Sequence, residues 1–211
     1  MVLIYLLSSA SGAGAISLED LLSQVEGQYE KTRDFQADFS QETFLKSMGT
    51  TEREKGLLYY KKPRKMLWLY EKPQAKTLVV NTEKSWLYLP DDRVVYMRKT
   101  DQLIQSTVAV RLLSGLSGIR DDFQVKFLKS DKVDEKGKYV LQLIPREPSS
   151  GFTRAQIEIE AATYNITQVW FEDAYGNATR VNLTNIKLNQ ELPDRKFLFV
   201  PPAGVEIFSL P

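Results

Sequence analysis

Residues Gly56–Lys99 read GLLYYKKPRKMLWLYEKPQAKTLVVNTEKSWLYLPDDRVVYMRK. Four apolar runs stand out: Leu57–Tyr60, Met66–Tyr70, Trp86–Leu89 and Val94–Met97. Each has the length of a strand. The breaks at Pro63-Arg64, Lys72-Pro73, Asn81–Lys84 and Pro90-Asp91-Asp92 have the length of hairpin connections, so neighbouring strands are expected to run antiparallel. A strand with one wet face alternates apolar with polar residues, and these do not. Adjacent residues point to opposite sides, so both faces of this part of the sheet must avoid water. Two arrangements meet that demand. The sheet packs on helices on one face and on itself on the other, or it curls around a lipophilic cavity with helices as a partial lid. The pattern alone supports both equally.

Upstream, Phe35, Ala37 and Phe39 alternate with Gln36, Asp38 and Ser40, the period of a strand. Before them Leu18, Leu21, Leu22, Val25 and Tyr29 fall on one helical face, with Ser17 placed to cap it and Asp20 three residues on. Downstream, Val108, Leu112, Leu116 and Ile119, with Leu113 beside them, predict a second helix or a pair of short ones bracketed by Gly115 and Gly118. Strands are expected again at 123–129, 138–145, 155–161, 165–172, 178–188 and 197–200. The sum is about a dozen short strands, a leading helix and a helical insert, read as one domain over residues 16–211.

The first fifteen residues are an apolar run, Met1–Leu7, followed by small residues ending Ala13-Gly14-Ala15. They read as a signal peptide cleaved after Ala15, although no Lys or Arg precedes Lys31. An exported protein is therefore expected. A bacterial lipoprotein needs a Cys to carry its lipid, and this chain has none, so it is expected to be soluble.

The chain has 211 residues, 43% hydrophobic and 26% charged, the composition of a globular protein. With 28 Lys+Arg against 27 Asp+Glu there is no bulk attraction to nucleic acid. There are 0 His and 0 Cys, which excludes thiolate nucleophiles, Ser-His-Asp triads and His- or Cys-ligated metals. No cofactor or metal is expected. Asp91-Asp92 and Asp121-Asp122 read as turn acids rather than a catalytic pair. Lys61, Lys62, Arg64 and Lys65, among Tyr59, Tyr60 and Trp68, read as a charged hairpin tip rather than a nucleic-acid patch.

The order of these pieces resembles the periplasmic outer-membrane lipoprotein carrier family, LolA. Phe35-Gln36-Ala37-Asp38-Phe39-Ser40-Gln41 is similar to its F-x-A-x-F-x-Q strand. Gly56, Lys62-Pro63, Trp68, Tyr70 and Pro73 follow its Gly, Arg-Pro, Trp, Pro pattern, and Ser85–Pro90 fits its next strand. Arg111–Gly115, Asp173–Asn177 and Phe197–Val205 resemble its Leu-Leu-x-Gly, D-x-x-G and F-x-F-x-x-P-x-G-V segments.

The resemblance implies a mainly β fold with helices (α+β): a strongly curled, unclosed antiparallel β-barrel of about 11 strands with a helical lid. It implies a soluble, non-enzymatic chaperone of the periplasm that binds lipoprotein acyl chains in a hydrophobic cavity and moves them from inner to outer membrane. A related lipid-, glycolipid- or peptide-binding module of the same fold is the alternative. Its partners would be acylated lipoproteins, an inner-membrane lipoprotein-releasing ABC transporter and an outer-membrane lipoprotein acceptor, and a monomer is expected. Phe39, Tyr60, Met66, Trp68, Trp86 and Tyr88 are the candidate acyl-chain wall. Leu112, Leu113 and Leu116 are the candidate lid. Lys62 stands where the family has a latch Arg that hydrogen-bonds lid backbone, and Lys lacks the planar fork of Arg.

Overall fold

The computed structural model describes residues 15–106, 108–113, 119–129, 131, 133–147 and 151–210. The expected signal peptide and the candidate lid residue Leu116 fall outside them, Ala15 excepted. Helix α1 (Leu18–Lys31) leads into β1 (Asp34–Leu45), β2 (Thr50–Lys61), β3 (Lys65–Lys72), β4 (Lys76–Val80), β5 (Lys84–Leu89) and β6 (Val94–Lys99). Three short helices follow: α2 (Thr100–Ser106), α3 (Val108–Leu113) and α4 (Ile119–Asp122). Then come β7 (Phe123–Phe127), β8 (Lys138–Pro145), β9 (Arg154–Glu160), β10 (Ile166–Glu172), β11 (Ala178–Leu188), a 3-10 turn (Asp194–Phe197) and β12 (Glu206–Ser209). Ser17 caps α1 as its sequence predicts, its hydroxyl oxygen accepting from the Asp20 N–H at 3.0 Å.

All twelve strands lie in one sheet, in the order β12-β6-β5-β4-β3-β2-β1-β11-β10-β9-β8-β7. Two antiparallel meanders, β1–β6 and β7–β11, meet where β1 pairs with β11. This corrects the expected strongly curled antiparallel barrel of about 11 strands. The sheet is open and mixed and is not strongly curled: β12 and β7 stand at opposite edges, and β12 joins β6 in parallel. The strand expected at 197–200 is also corrected. That segment is a 3-10 turn and extended chain, and the closing strand lies later, at 206–209.

The topology explains where the helices go. Strand β6 lies beside one edge and β7 at the other, so the chain between them, residues 100–122, must cross a face of the sheet. Leu103 of α2, Val110, Leu112 and Leu113 of α3 and Ile119 of α4 bury there, with Leu21, Leu22 and Val25 of α1. They pack on Phe35, Ala37, Phe39, Leu58, Tyr60, Met66 and Trp68 from one meander, and on Leu141, Ile157, Val169 and Val181 from the other.

The opposite face has a different cover. Leu67 and Val79 pack there with Leu192 and Phe197 of the C-terminal segment, flanked by Tyr59, Leu69, Trp86 and Phe199. The second apolar face is therefore dried by the chain's own tail, not by the sheet folding onto itself.

That tail is anchored at a buried acid. Asp34 is 3% exposed, and its carboxylate accepts from the backbone N–H groups of Gln190 (2.7 Å) and Leu192 (3.3 Å). Its backbone carbonyl accepts from Asn189 N–H at 2.8 Å. Replacing Asp34 by Ala orphans the two donors that its carboxylate serves. The expected loss is about 3 kcal/mol, read as a lower urea midpoint at unchanged slope. A loss below about 0.5 kcal/mol, the ordinary surface level, would show that this carboxylate does not hold the tail.

Candidate functional site

Cross-strand registry sorts the candidate residues by face. Phe35 pairs with Tyr60, Tyr60 with Met66 and Leu58 with Trp68, so their side chains share the helix-covered side. Phe39, Tyr60, Met66 and Trp68 lie together there, 0–3% exposed. Phe39 meets Trp68 and Tyr70 edge-on, with ring centroids 5.0 and 4.9 Å apart. Opposite Phe39 stands Gly56, where a Cβ would sit 1.8 Å from the Leu69 carbonyl oxygen, so the close approach admits only glycine. Trp86 and Tyr88 lie on the other face, against Phe199 at 6.1 and 5.9 Å. Leu112 and Leu113 are buried in α3 against the helix-covered face.

Beside this packed cluster the same face opens into a cavity of about 440 Å³. Tyr70, Leu78, Leu87, Tyr96, Leu103 and Leu210 give it an apolar lining, with Lys76, Ser85 and Arg98 at its margins. Registry explains the lining: Trp68 pairs with Leu78, Leu78 with Leu87 and Leu87 with Tyr96, one apolar row across four strands. Helix α2 roofs it through Leu103, and the chain just after β12 brings in Leu210. None of these six was among the candidate wall or lid residues read from the sequence. The signal was the hairpin parity running outward from Trp68.

The hairpin tip between β2 and β3 fastens the covers to the sheet. Lys62 Nζ donates to the carbonyls of Tyr29 (2.6 Å) and Glu30 (3.0 Å) in the last turn of α1, where orphan carbonyls and the helix dipole favour a cation. Arg64 pairs with Asp101 in the first turn of α2. Lys61 donates to the Leu192 carbonyl at 2.6 Å and pairs with Asp194 at 2.7 Å, and Lys65 reaches Asp194 at 3.1 Å. The hydrogen bonds from Lys61 and Lys65 hold the Asp194 carboxyl below its ordinary range. The basic cluster is thus spent inside the chain, as expected for a hairpin tip.

At the far margin of the cavity Lys76 is ion-paired with Glu54 and lies 4.3 Å from the Tyr70 ring centre. Gln41 Nε2 donates to Glu54 at 3.0 Å, and the Tyr70 hydroxyl donates to Gln41 Oε1 at 3.4 Å. The Trp68 indole N–H is buried with no hydrogen-bond partner among the described residues. No cluster of three or more metal-ligating side chains occurs among them either. A recess lined in this way has the chemistry to accommodate apolar groups.

The family profile and the curated relatives name one family. The family profile described as "Outer membrane lipoprotein carrier protein LolA" matches residues 30–200. An outer-membrane lipoprotein carrier protein of Methylococcus capsulatus is 30% identical over 187 residues, 89% of this chain and 86% of its own. Another, from Dechloromonas aromatica, is 28% identical over 203 residues, 96% and 91% of the two chains. An uncharacterized conserved protein from Thermus thermophilus shares the fold at a TM-score of 0.59 and 13% identity, over 91% of this chain and 98% of that one. The chain belongs to the LolA family of outer-membrane lipoprotein carriers. It is a periplasmic, non-catalytic protein of lipoprotein transport and outer-membrane biogenesis.

Burial on the helix-covered face has a consequence at high pH. It pushes the Tyr60 hydroxyl up from 10.0 to about 12. The Tyr29 and Tyr70 hydroxyls rise too, by burial first and then by the neighbouring Tyr60 and Glu54 charges. A folded-state value above the unfolded one gives stability that is complete below 10.0 and lost as pH rises through about 12. In a titration at about 295 nm, where tyrosinate absorbs, these three of the ten tyrosines should ionise only as the far-UV dichroism collapses. Smooth ionisation of all ten with the fold intact would refute their burial.

Proposed function

We propose that the cavity and the buried aromatic cluster behind it receive the acyl chains of lipoproteins crossing the periplasm. The observation that carries this is the apolar row Trp68–Leu78–Leu87–Tyr96, which opens into a recess under α2. An acyl chain left in water costs about 0.8 kcal/mol per CH₂, so a multiply acylated cargo needs a dry surface worth tens of kcal/mol. Phe39, Tyr60, Met66 and Trp68 form the deep wall and Leu112 and Leu113 part of the cover. Trp86 and Tyr88 brace the opposite face. An ester carbonyl seated at Trp68 would give its indole N–H an acceptor. Cargo arrives from an inner-membrane ABC exporter and leaves for an outer-membrane lipoprotein acceptor.

Lys62 is the latch in this scheme. Its two bonds to α1 favour the closed, empty form, and a carrier must be able to return to that form to let cargo go. The variant Lys62→Leu should still accept lipoprotein but release it to acceptor at least about tenfold more slowly, the weight of one to two such hydrogen bonds. Transfer at the wild-type rate would remove Lys62 from the mechanism.

The cavity itself is tested by Leu87→Glu. A carboxylate in the middle of the apolar row should abolish co-purification of triacylated lipoprotein from the periplasm, measured by mass spectrometry, in a protein whose thermal transition survives. Undiminished cargo on the folded variant would place acyl binding elsewhere.

A further inference from the structure

Large apolar side chains are exposed at one end of the sheet, where the β1–β2 and β10–β11 turns lie side by side. Phe44, Met48 and Tyr175 are 41%, 63% and 84% exposed there. The two turns form one unit. Phe44 pairs across the sheet with Ala178, and the Lys46 N–H donates to Asn177 Oδ1 at 3.0 Å. The Asp173 carboxylate closes the second turn from inside. It accepts from the N–H groups of Tyr175 (2.8 Å) and Asn177 (2.9 Å) and from the Asn177 side-chain amide (2.8 Å). The Lys46 stem lies across Gly176, where a Cβ would come within 2.6 Å of its Cδ. Three apolar side chains are thus carried on a tied apex, not on loose loops.

The apex projects. Thr50–Glu54 of β2 pair with β1 but not with β3, whose pairing begins at Lys55. Five residues reach about 17 Å, at roughly 3.3 Å per residue. The carboxylates around it are engaged or turned away. Glu42 pairs with Arg53 and Arg180, and Glu172 with Arg154. Glu52 stands opposite Thr43, one residue from Phe44, so it faces the other side of the hairpin. Lys46 has no carboxylate partner among the described residues.

We propose that this apex docks the protein on a phospholipid surface. Phe44, Met48 and Tyr175 enter the head-group region, and the Lys46 ammonium lies at the phosphates. Aromatic rings at head-group level and a lysine stem reaching back to the interface are what a bilayer surface favours. A protein partner would need a pit to dry a convex point, whereas a bilayer yields around it. Three side chains bury too little for a stable anchor, so the contact is weak and reversible. It is separate from acyl binding and stands whether or not the recess takes acyl chains.

The chain has 0 Cys, so Ser47→Cys places a single nitrobenzoxadiazole dye beside Met48 in the full-length protein. Thr82→Cys, in the turn between β4 and β5 at the other end of the sheet, is the control. Both are titrated with vesicles of phosphatidylethanolamine containing a minor share of phosphatidylglycerol. The dye at 47 should brighten and shift to the blue, and the dye at 82 should not. On the Ser47→Cys background, Tyr175→Ser should lower partitioning about threefold, and Phe44→Ser with Tyr175→Ser at least about tenfold. No response at 47, an equal response at both positions, or undiminished partitioning of Tyr175→Ser overturns the proposal. So does a response at 47 that needs no lipid and grows with protein concentration, with a dimer in sedimentation velocity. That outcome would make the apex a contact between copies of this chain.

Discussion

A β-sheet that is apolar on both faces needs two covers, and the rest of this molecule follows from how it obtains them. Residues 57–60, 66–70, 86–89 and 94–97 have no polar side to show to water. One cover is forced by topology: β6 and β7 lie toward opposite ends of a twelve-strand order, so the helices between them have to cross the sheet. The other is the C-terminal segment, which lays Leu192, Phe197 and Phe199 against Leu67, Val79 and Trp86. The first cover is built of short helices and leaves a recess at one end. The second is stitched down by Asp34, Lys61 and Lys65.

This division of labour suits a carrier. Under the proposed function, cargo needs a cover that can shift, and short helices draw most of their stability from packing rather than from helix propensity. The β2–β3 hairpin tip sits between the two regimes. Its Lys62 and Arg64 reach the helices, and its Lys61 and Lys65 reach the tail. Four cations within five residues thus bind both covers to the same strand pair. That explains why a cluster with the composition of a polyanion site is used up internally.

Much of the chain was legible in its residues. Strand-length apolar runs, period-two stretches and a 3.6 period located α1 and most of the strands, because each reports a local geometry that the side chains themselves impose. The tail was misread: Phe197–Val200 is an apolar run of strand length, but its Phe197 and Phe199 cover the rear face, which no local period can announce. The family resemblance led to the correct family and to too curled and too uniformly antiparallel a sheet, since the parallel union of β12 with β6 joins residues more than a hundred positions apart. Of the candidate wall residues, Phe39, Tyr60, Met66 and Trp68 lie together on the helix-covered face. Trp86 and Tyr88 do not join them, because each strand register decides which alternate residues face the helices.

The amino-acid sequence alone determined that this protein has a water-shy β-sheet, no means of imidazole or thiolate chemistry, and the ordered motifs of a lipoprotein carrier. Those are properties of residue type and near spacing. Only the tertiary structure decided which face is covered by helices and which by the tail, and where the recess opens. Each of those depends on cross-strand register and on the crossing of residues 100–122, which bring together side chains whose separation along the chain carries no periodic signal.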